Sequence, residues 1–274
     1  MFKFYPGVAT HEQMSYVPRF MVSYRKIRRG LTIPSDGKEW ILDSGAFNEI
    51  KIHGNFTFSI EDYLVSVEKL QPSIFVIMDY MCEPFMLEKT GLSVRQHQKL
   101  TSLNHQQIKD LRQRMGLNVP IMGVIQGWTL EDYLWHIDHL KSQNLIEDKM
   151  GLGSFCRRQS TKVLLDLLRE IKRSVPGWVK LHGFGVKINL FKKPETFRLL
   201  SSSDSAAWGM WGFGLKSNKN VKYCVLYEGE RRPCIHRNCI NCCNCGEMLY
   251  FWYNKNKTLI DKFSNTDVKN RLSP

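Results

Sequence analysis

The chain alternates short apolar runs with longer stretches whose apolar positions recur about every 3.6 residues. The short runs are Phe2-Lys3-Phe4-Tyr5, Trp40-Ile41-Leu42, Ile74-Phe75-Val76-Ile77-Met78, Ile121-Met122-Gly123-Val124-Ile125, Lys149-Met150-Gly151-Leu152, Val179-Lys180-Leu181-His182 and Arg198-Leu199-Leu200. Runs of this length without strict alternation suit strands covered on both faces of a parallel sheet. Helical spacing opens at Ile60-Glu61-Asp62-Tyr63-Leu64 and fills His105 to Met115, Leu130 to Gln143 and Ser160 to Val175. Strands separated by helices imply right-handed crossovers and an α/β fold. Val221 to Leu226 offers an eighth run, which favours a closed TIM-like (β/α)8 barrel over an open sheet. The expected division is a barrel over residues 1–220 and a zinc-binding subdomain with the C-terminal segment, packed on the barrel, over 221–274.

In such a barrel, function gathers at the C-terminal ends of the strands. Those ends read Asp43-Ser44-Gly45-Ala46-Phe47, Asp79-Tyr80-Met81-Cys82-Glu83-Pro84, Gln126-Gly127-Trp128, Gly151-Leu152-Gly153-Ser154, His182-Gly183-Phe184-Gly185 and Ser203-Asp204-Ser205-Ala206-Ala207-Trp208. Three aspartates and a glutamine converge on one rim. Each aspartate has two readings, a cap or Asx turn before the next helix, or a group that does chemistry.

Composition narrows the partner. A chain of 274 residues with 43% hydrophobic residues is globular and long enough for one barrel. Its formal charge of +13 points to a polyanion, and nucleic acid is the common one. Arg25-Lys26-Ile27-Arg28-Arg29, Arg157-Arg158, Lys187, Lys192-Lys193 and Lys216 to Lys222 are either phosphate contacts or solvated faces. The start, MFKFYPGVATHEQ, lacks an apolar signal-peptide region, and no apolar run approaches the ~20 residues of a membrane span. The expected location is cytoplasmic.

Taken together, these motifs resemble the queuine/archaeosine tRNA-guanine transglycosylase superfamily, and in particular its phage and bacterial DNA-modifying branch, the DpdA proteins. Asp43-Ser44-Gly45-Ala46-Phe47 resembles the family's Asp-Ser-Gly-Gly-aromatic loop, and Asp79-x-x-Cys82-x-Pro84 resembles its Asp-Glu-Cys-Thr-Pro segment with one extra residue. Gln126-Gly127 resembles Gln-Gly-Gly, Gly151-Leu152 the Gly-Gly-Leu turn, His182-Gly183-Phe184-Gly185 the Met-Gly-Val-Gly stretch, and Asp204-Ser205 the nucleophilic Asp-Cys. The order is the family's, over about residues 40 to 245.

The resemblance implies exchange of guanine for a 7-deazaguanine such as preQ0, with Asp204 as nucleophile forming a covalent glycosyl intermediate and Asp43 carrying the proton. It implies a base pocket built from Asp79, Gln126, Gly127, Gly151, Leu152, Phe47 and Gly185. An ionised Asp79 suits the N1–H and exocyclic amine of guanine, while Gln126 and the Gly151-Leu152 backbone suit O6. Phe47 either stacks on the base or belongs to the core. Reading the Watson–Crick edge requires the base to leave the stack.

After Asp204 the family's Pro-Thr-Arg segment is replaced by an aromatic glycine loop containing Trp208, Trp211 and Phe213, residues that either stack on an unpaired strand or pack on the barrel. That departure favours DNA as the polymer. The alternatives are a tRNA-guanine transglycosylase and a non-catalytic zinc-bearing nucleic-acid-binding protein.

Six of the eight cysteines fall between Cys224 and Cys245, which in a reducing compartment points to a metal before disulfides. The Cys-x₂-Cys-x₂-Cys spacing suits tetrahedral zinc. The expected ligands of a structural Zn2+ are Cys234, Cys239, Cys242 and Cys245, with His236, Cys243 or Cys224 able to replace one. An iron–sulfur cluster is the rival reading.

Overall fold

The structure, a computed structural model, describes residues 2–34, 36–155, 160–209, 223–227, 230–233 and 246–264. Eight parallel strands close into a barrel in sequence order: β1 Lys3–Val8, β2 Arg19–Ser23, β3 Glu39–Asp43, β4 Ile74–Val76, β5 Ile121–Ile125, β6 Lys149–Leu152, β7 Lys180–Gly183 and β8 Ser202–Ser205. Closure is made by β1 against β8, with Tyr5 beside Asp204.

Between β3 and β4 lie α3 Ala46–His53 and α4 Ile60–Leu70, after the single turns α1 His11–Ser15 and α2 Tyr24–Ile27. Next come α5 Pro84–Thr90, α6 Val94–Arg114, α7 Leu130–Ser142 and α8 Thr161–Ser174. Reciprocal capping boxes start three of the four longest of these helices: Ser59 with Asp62, Ser93 with Gln96 and Thr129 with Asp132. Each satisfies two backbone donors that the first turn leaves orphaned. Ser160 caps α8 through its hydroxyl. The core between sheet and helices contains fully buried Phe20, Ile41, Leu42, Tyr63, Phe75 and Tyr133. The Tyr63 hydroxyl is satisfied there by donating to Val76 O at 2.8 Å.

Three expectations about strands need correction. Arg19–Ser23 is a strand that the hydrophobic pattern did not single out. Arg198-Leu199-Leu200 is not a strand: α9 spans Thr196–Leu199, and the eighth barrel strand is the polar Ser202–Ser205. Its side chains face polar barrel contents on one side, so hydrophobicity did not mark it. The run proposed as the eighth strand, Val221 to Leu226, overlaps β9 Tyr223–Tyr227, which pairs antiparallel with β10 Glu230–Pro233 outside the barrel. A last helix, α10 Gly246–Ser264, packs near α1, with the Tyr16 ring crossing Tyr250 at 5.9 Å between centroids.

Cys234, Cys239, Cys242 and Cys245 lie outside the described residues, as do His236, Cys243, Trp211, Phe213, Arg157-Arg158 and the whole of Lys216 to Lys222. Among the described residues, no group of His, Cys, Asp or Glu is arranged to hold a metal ion. Nor is any described helix long and apolar enough to cross a membrane.

Candidate active site

The C-terminal mouth of the barrel gathers the three aspartates. Asp43 is the last residue of β3, Asp79 follows β4, and Asp204 lies inside β8. The sequence placed Asp204 just beyond a strand; instead it is a strand residue pointing to the same interior as Asp43. Inward placement follows from parallel register, since Ser23 sits beside Asp43 and Tyr5 beside Asp204, and neighbours in register share a face.

Asp43 makes the Asx turn of its structural reading. Its Oδ2 accepts the Gly45 N–H at 3.0 Å, an Asx turn that starts α3. Gly45 has φ +78°, and a side chain there would press on Ser23 Oγ and Arg25, so glycine is required. Burial pushes the Asp43 carboxyl up to about 7, and the charges of Asp79 and Asp204 push it the same way. A sliver of solvent contact remains. A carboxyl that is half protonated near neutrality can both give and take a proton.

Asp79 is also buried, and burial pushes it up to about 7 although the Gln126 amide stabilises its charge. Gln126 Nε2 donates to Asp79 Oδ2. The Gln126 backbone is equally fixed. Its N–H donates to His136 Nδ1 at 2.8 Å, and its carbonyl accepts from Gln98 Nε2 at 2.7 Å. His136 is therefore the tautomer with its proton on Nε2, and burial holds its pKa down to about 3. Gly127 lets the backbone pass close to Tyr133 N.

Asp204 is held from below. Gly185 N–H donates to Oδ1 at 3.0 Å, and His182 Nε2 lies 3.2 Å from the same oxygen. His182 Nδ1 meets Ser202 Oγ at 2.9 Å. Burial lowers the pKa of His182, so the neutral ring donates from Nε2 and accepts the Ser202 hydroxyl. Asp204 Oδ2 has no hydrogen-bond partner among the described residues. One oxygen is thus anchored by two donors while the other is not.

Other expected positions fall differently. Gly151-Leu152, expected as a turn, forms the last two residues of β6, laddered to β5 and β7. The turn comes at Gly153-Ser154. Gly151 is packed against the Phe184 ring, where a Cβ would come within 2.2 Å. The Gly185 N–H, expected near the base, is given to Asp204, and its φ of +58° makes that approach possible. Phe47 sits on α3 edge-on to Phe85 at 6.0 Å, against the apolar cluster of Ala46, Ile50, Tyr80, Met81 and Met86. Trp208 donates its indole N–H to Gly7 O at 2.7 Å, so it packs on the barrel. Of the basic runs, Arg25 pairs with buried Glu49 at 3.2 Å and Arg28 bonds Thr57 Oγ1 at 2.9 Å. Those charges hold the α3 region together.

Several residues around the aspartates were not singled out from sequence. His182 anchors Asp204. Ser154 and Glu83 stand behind Gln126, with Ser154 Oγ at 2.9 Å from both Glu83 Oε2 and Gln126 Oε1. Gly153 is needed because a Cβ there would fall 2.2 Å from Gln126 Nε2. A separate groove of about 560 Å3 between Trp128, Leu130, Val163 and Arg169 is lined by none of the three aspartates.

Comparison with curated proteins gives no match. Comparison with protein families matches residues 3–270 to DpdA, DeoxyPurine in DNA protein A, which covers nearly the whole chain. That family implies a DNA-modifying transglycosylase that inserts 7-deazaguanine bases, and an eight-stranded parallel barrel with carboxylates at its C-terminal mouth accords with it. The chain belongs to the DpdA family.

Proposed function

We infer that this protein exchanges guanine in DNA for a free 7-deazaguanine, preQ0 or a close relative, through a covalent glycosyl intermediate on Asp204. The observation that carries the reading is the Asp204 carboxylate. Its Oδ1 is tethered by His182 and Gly185 while Oδ2 is free, beside a second carboxyl, Asp43, poised near neutrality.

The reaction is a double displacement. Asp204 Oδ2 forms a bond to C1′ as the C1′–N9 bond breaks, and the departing guanine takes the bond pair and a proton from Asp43. The 7-deazaguanine then enters with a proton on N9. Asp43 removes that proton as N9 bonds to C1′ and the Asp204–C1′ bond breaks. Both carboxyls end as they began. Two inversions at C1′ retain the configuration. Asp79 and the Gln126 amide supply an acceptor and a donor side by side, the pattern that guanine N1–H and O6 complement. Leu152 O, Gly127 and Phe47 are assigned to the pocket by resemblance alone.

A structural Zn2+ is part of the same reading. Cys234, Cys239, Cys242 and Cys245 stand between the β9–β10 hairpin and α10, where a tetrahedral site would staple the two. Four protein ligands leave no open position, so the metal would supply structure and no step of the exchange.

The test is uptake of radiolabelled guanine or preQ0 into duplex DNA and into tRNA in parallel, with Asp204→Ala as control. Label in DNA that the variant abolishes supports the reading. Label confined to tRNA overturns the polymer, and label that survives Asp204→Ala overturns the nucleophile.

A further inference from the structure

Ser154 takes no part in the displacement, yet it occupies an expensive position. It is buried at 4% exposure and has φ +58°, the left-handed region that a non-glycine residue enters only at a cost. Such strain persists only where the surroundings over-determine it. Here they do. Ser154 Oγ accepts the Cys82 N–H at 2.8 Å, and it lies 2.9 Å from both Gln126 Oε1 and Glu83 Oε2. The Cys82 N–H uses a lone pair of the hydroxyl, so its proton is left for the two oxygens.

The Gln126 side chain has a donor end and an acceptor end of nearly equal size. Turned one way it offers NH2 to a base and welcomes a carbonyl; turned the other it offers C=O and welcomes an amine. Two neighbours set its direction. Asp79 Oδ2 holds the NH2 end as long as its carboxyl is ionised. That carboxyl is pushed up to about 7, so near neutrality it is protonated much of the time and then no longer discriminates between the ends. Ser154 works at the opposite end and its hydroxyl does not titrate. Gly153, with no Cβ, lets the amide lie flat between them.

We propose that Ser154 is a specificity-determining positioning residue, whose hydroxyl fixes the end of the Gln126 amide that faces the base and so selects 6-oxopurines over 6-aminopurines. The proposal rests on the reading that Gln126 touches the base. Glu83 competes for the same hydroxyl proton, so replacing its carboxylate strengthens the hold on Gln126 and replacing the serine removes it.

The experiment is equilibrium binding of two free bases, guanine and 2,6-diaminopurine, which differ at C6 and the adjoining N1 proton, followed by calorimetry at one neutral pH. The proteins are the parent, Ser154→Gly, Glu83→Gln and Gln126→Ala. Glycine relieves the left-handed strain, which offsets the loss of the acceptor for the Cys82 N–H, so Ser154→Gly is expected to fold, and its melting temperature is measured beside the parent's. Loss of one oriented hydrogen bond should reduce the preference for guanine about tenfold, partly by tightening the diamino base. Glu83→Gln should keep or sharpen the preference.

If Ser154→Gly weakens both bases equally, or changes neither, while Gln126→Ala alters the preference, Ser154 is only structural and the proposal is overturned. If Gln126→Ala also leaves the preference intact, Gln126 does not read the base, and the pocket reading falls together with it.

Discussion

His182 Nε2 and the Gly185 N–H converge on one oxygen of Asp204, at 3.2 and 3.0 Å, and leave the other oxygen without a hydrogen-bond partner among the described residues. Both donors belong to the end of β7 and the loop after it, and the strand register sets His182 beside Ser202, two residues before Asp204. The arrangement fixes the rotamer of the carboxylate and spreads part of its charge into two donors. A nucleophile so held attacks along one direction. His182→Ala should lower kcat by one to two orders of magnitude with little change in KM, since the tether matters most when C1′ is being attacked. Asp204→Ala should abolish exchange. Single-turnover kinetics on labelled DNA separates the two cases. An unchanged rate of the first half-reaction in His182→Ala would show the tether to be idle.

Burial makes Asp43 and Asp79 harder to ionise in the folded chain than in the unfolded one, helped at Asp43 by the charges of Asp79 and Asp204 and at Asp79 by that of Glu83. The sign of the pH effect follows. Below pH 4 both states hold these protons, and the carboxyls contribute nothing. Between 3.8 and about 7 the unfolded chain releases protons that the folded chain keeps, so stability falls as pH rises through that window. For Asp43 taken alone, a rise from 3.8 to about 7 corresponds to about 4 kcal/mol of cost once the pH is above the folded value. Asp43→Asn keeps an oxygen for the Gly45 N–H and removes the cost. Denaturant melts should find it more stable than the parent at pH 8 by a few kcal/mol and equal to it at pH 4, with exchange lost at both. A gain over the parent no larger at pH 8 than at pH 4 would mean that Asp43 is ionised with ease.

The fold was largely legible because six of the eight barrel strands coincide with apolar runs bounded by polar residues, as at Ile121–Ile125. Arg19–Ser23 and Ser202–Ser205 escaped for one reason. Strand faces turned to the barrel axis carry Arg19, Ser23, Ser202 and Asp204, so polar interior contents masked the hydrophobic signal. The three aspartates and Gln126 were legible because chemistry at a strand end leaves a mark in the chain order. His182, Gly153 and Ser154 were not. Each acts through a residue distant in sequence, Asp204 or Gln126, and that pairing exists only after the barrel closes. Gly185 shows the same limit, since its glycine was visible but the oxygen it approaches was not.

Gly153 marks how little room Gln126 has. A methyl group there would sit 2.2 Å from Gln126 Nε2 and 2.4 Å from the amide carbon, so the side chain must swing away. The backbone of Gly153 is itself pinned, donating to Ile125 O at 3.0 Å and accepting from Tyr133 Oη at 2.6 Å, so it cannot be the part that moves. Gly153→Ala should therefore cost about 1–3 kcal/mol of stability through overpacking. Its larger effect should be on kcat/KM for exchange, down by about 100-fold, because a displacement of about 1 Å in a positioning group has that cost. Thermal melts beside steady-state kinetics test this, and a variant with parental kcat/KM would place Gln126 outside the reaction.

The cysteine cluster makes its own prediction, independent of the barrel chemistry. With Cys234, Cys239, Cys242 and Cys245 as thiolate ligands, the purified chain should contain one zinc per molecule and no acid-labile sulfide. Cobalt in its place should give the visible bands of a tetrahedral thiolate site. Cys239→Ser should lose the metal and destabilise the segment joining β10 to α10, whereas Asp204→Ala should keep its zinc in full. Because folding and binding are linked, a chelator should lower the melting temperature before it affects the rate of exchange in molecules still folded. Iron with labile sulfide in the purified protein, or Cys239→Ser with full zinc content, would replace this ligand set with another drawn from Cys224, His236 and Cys243.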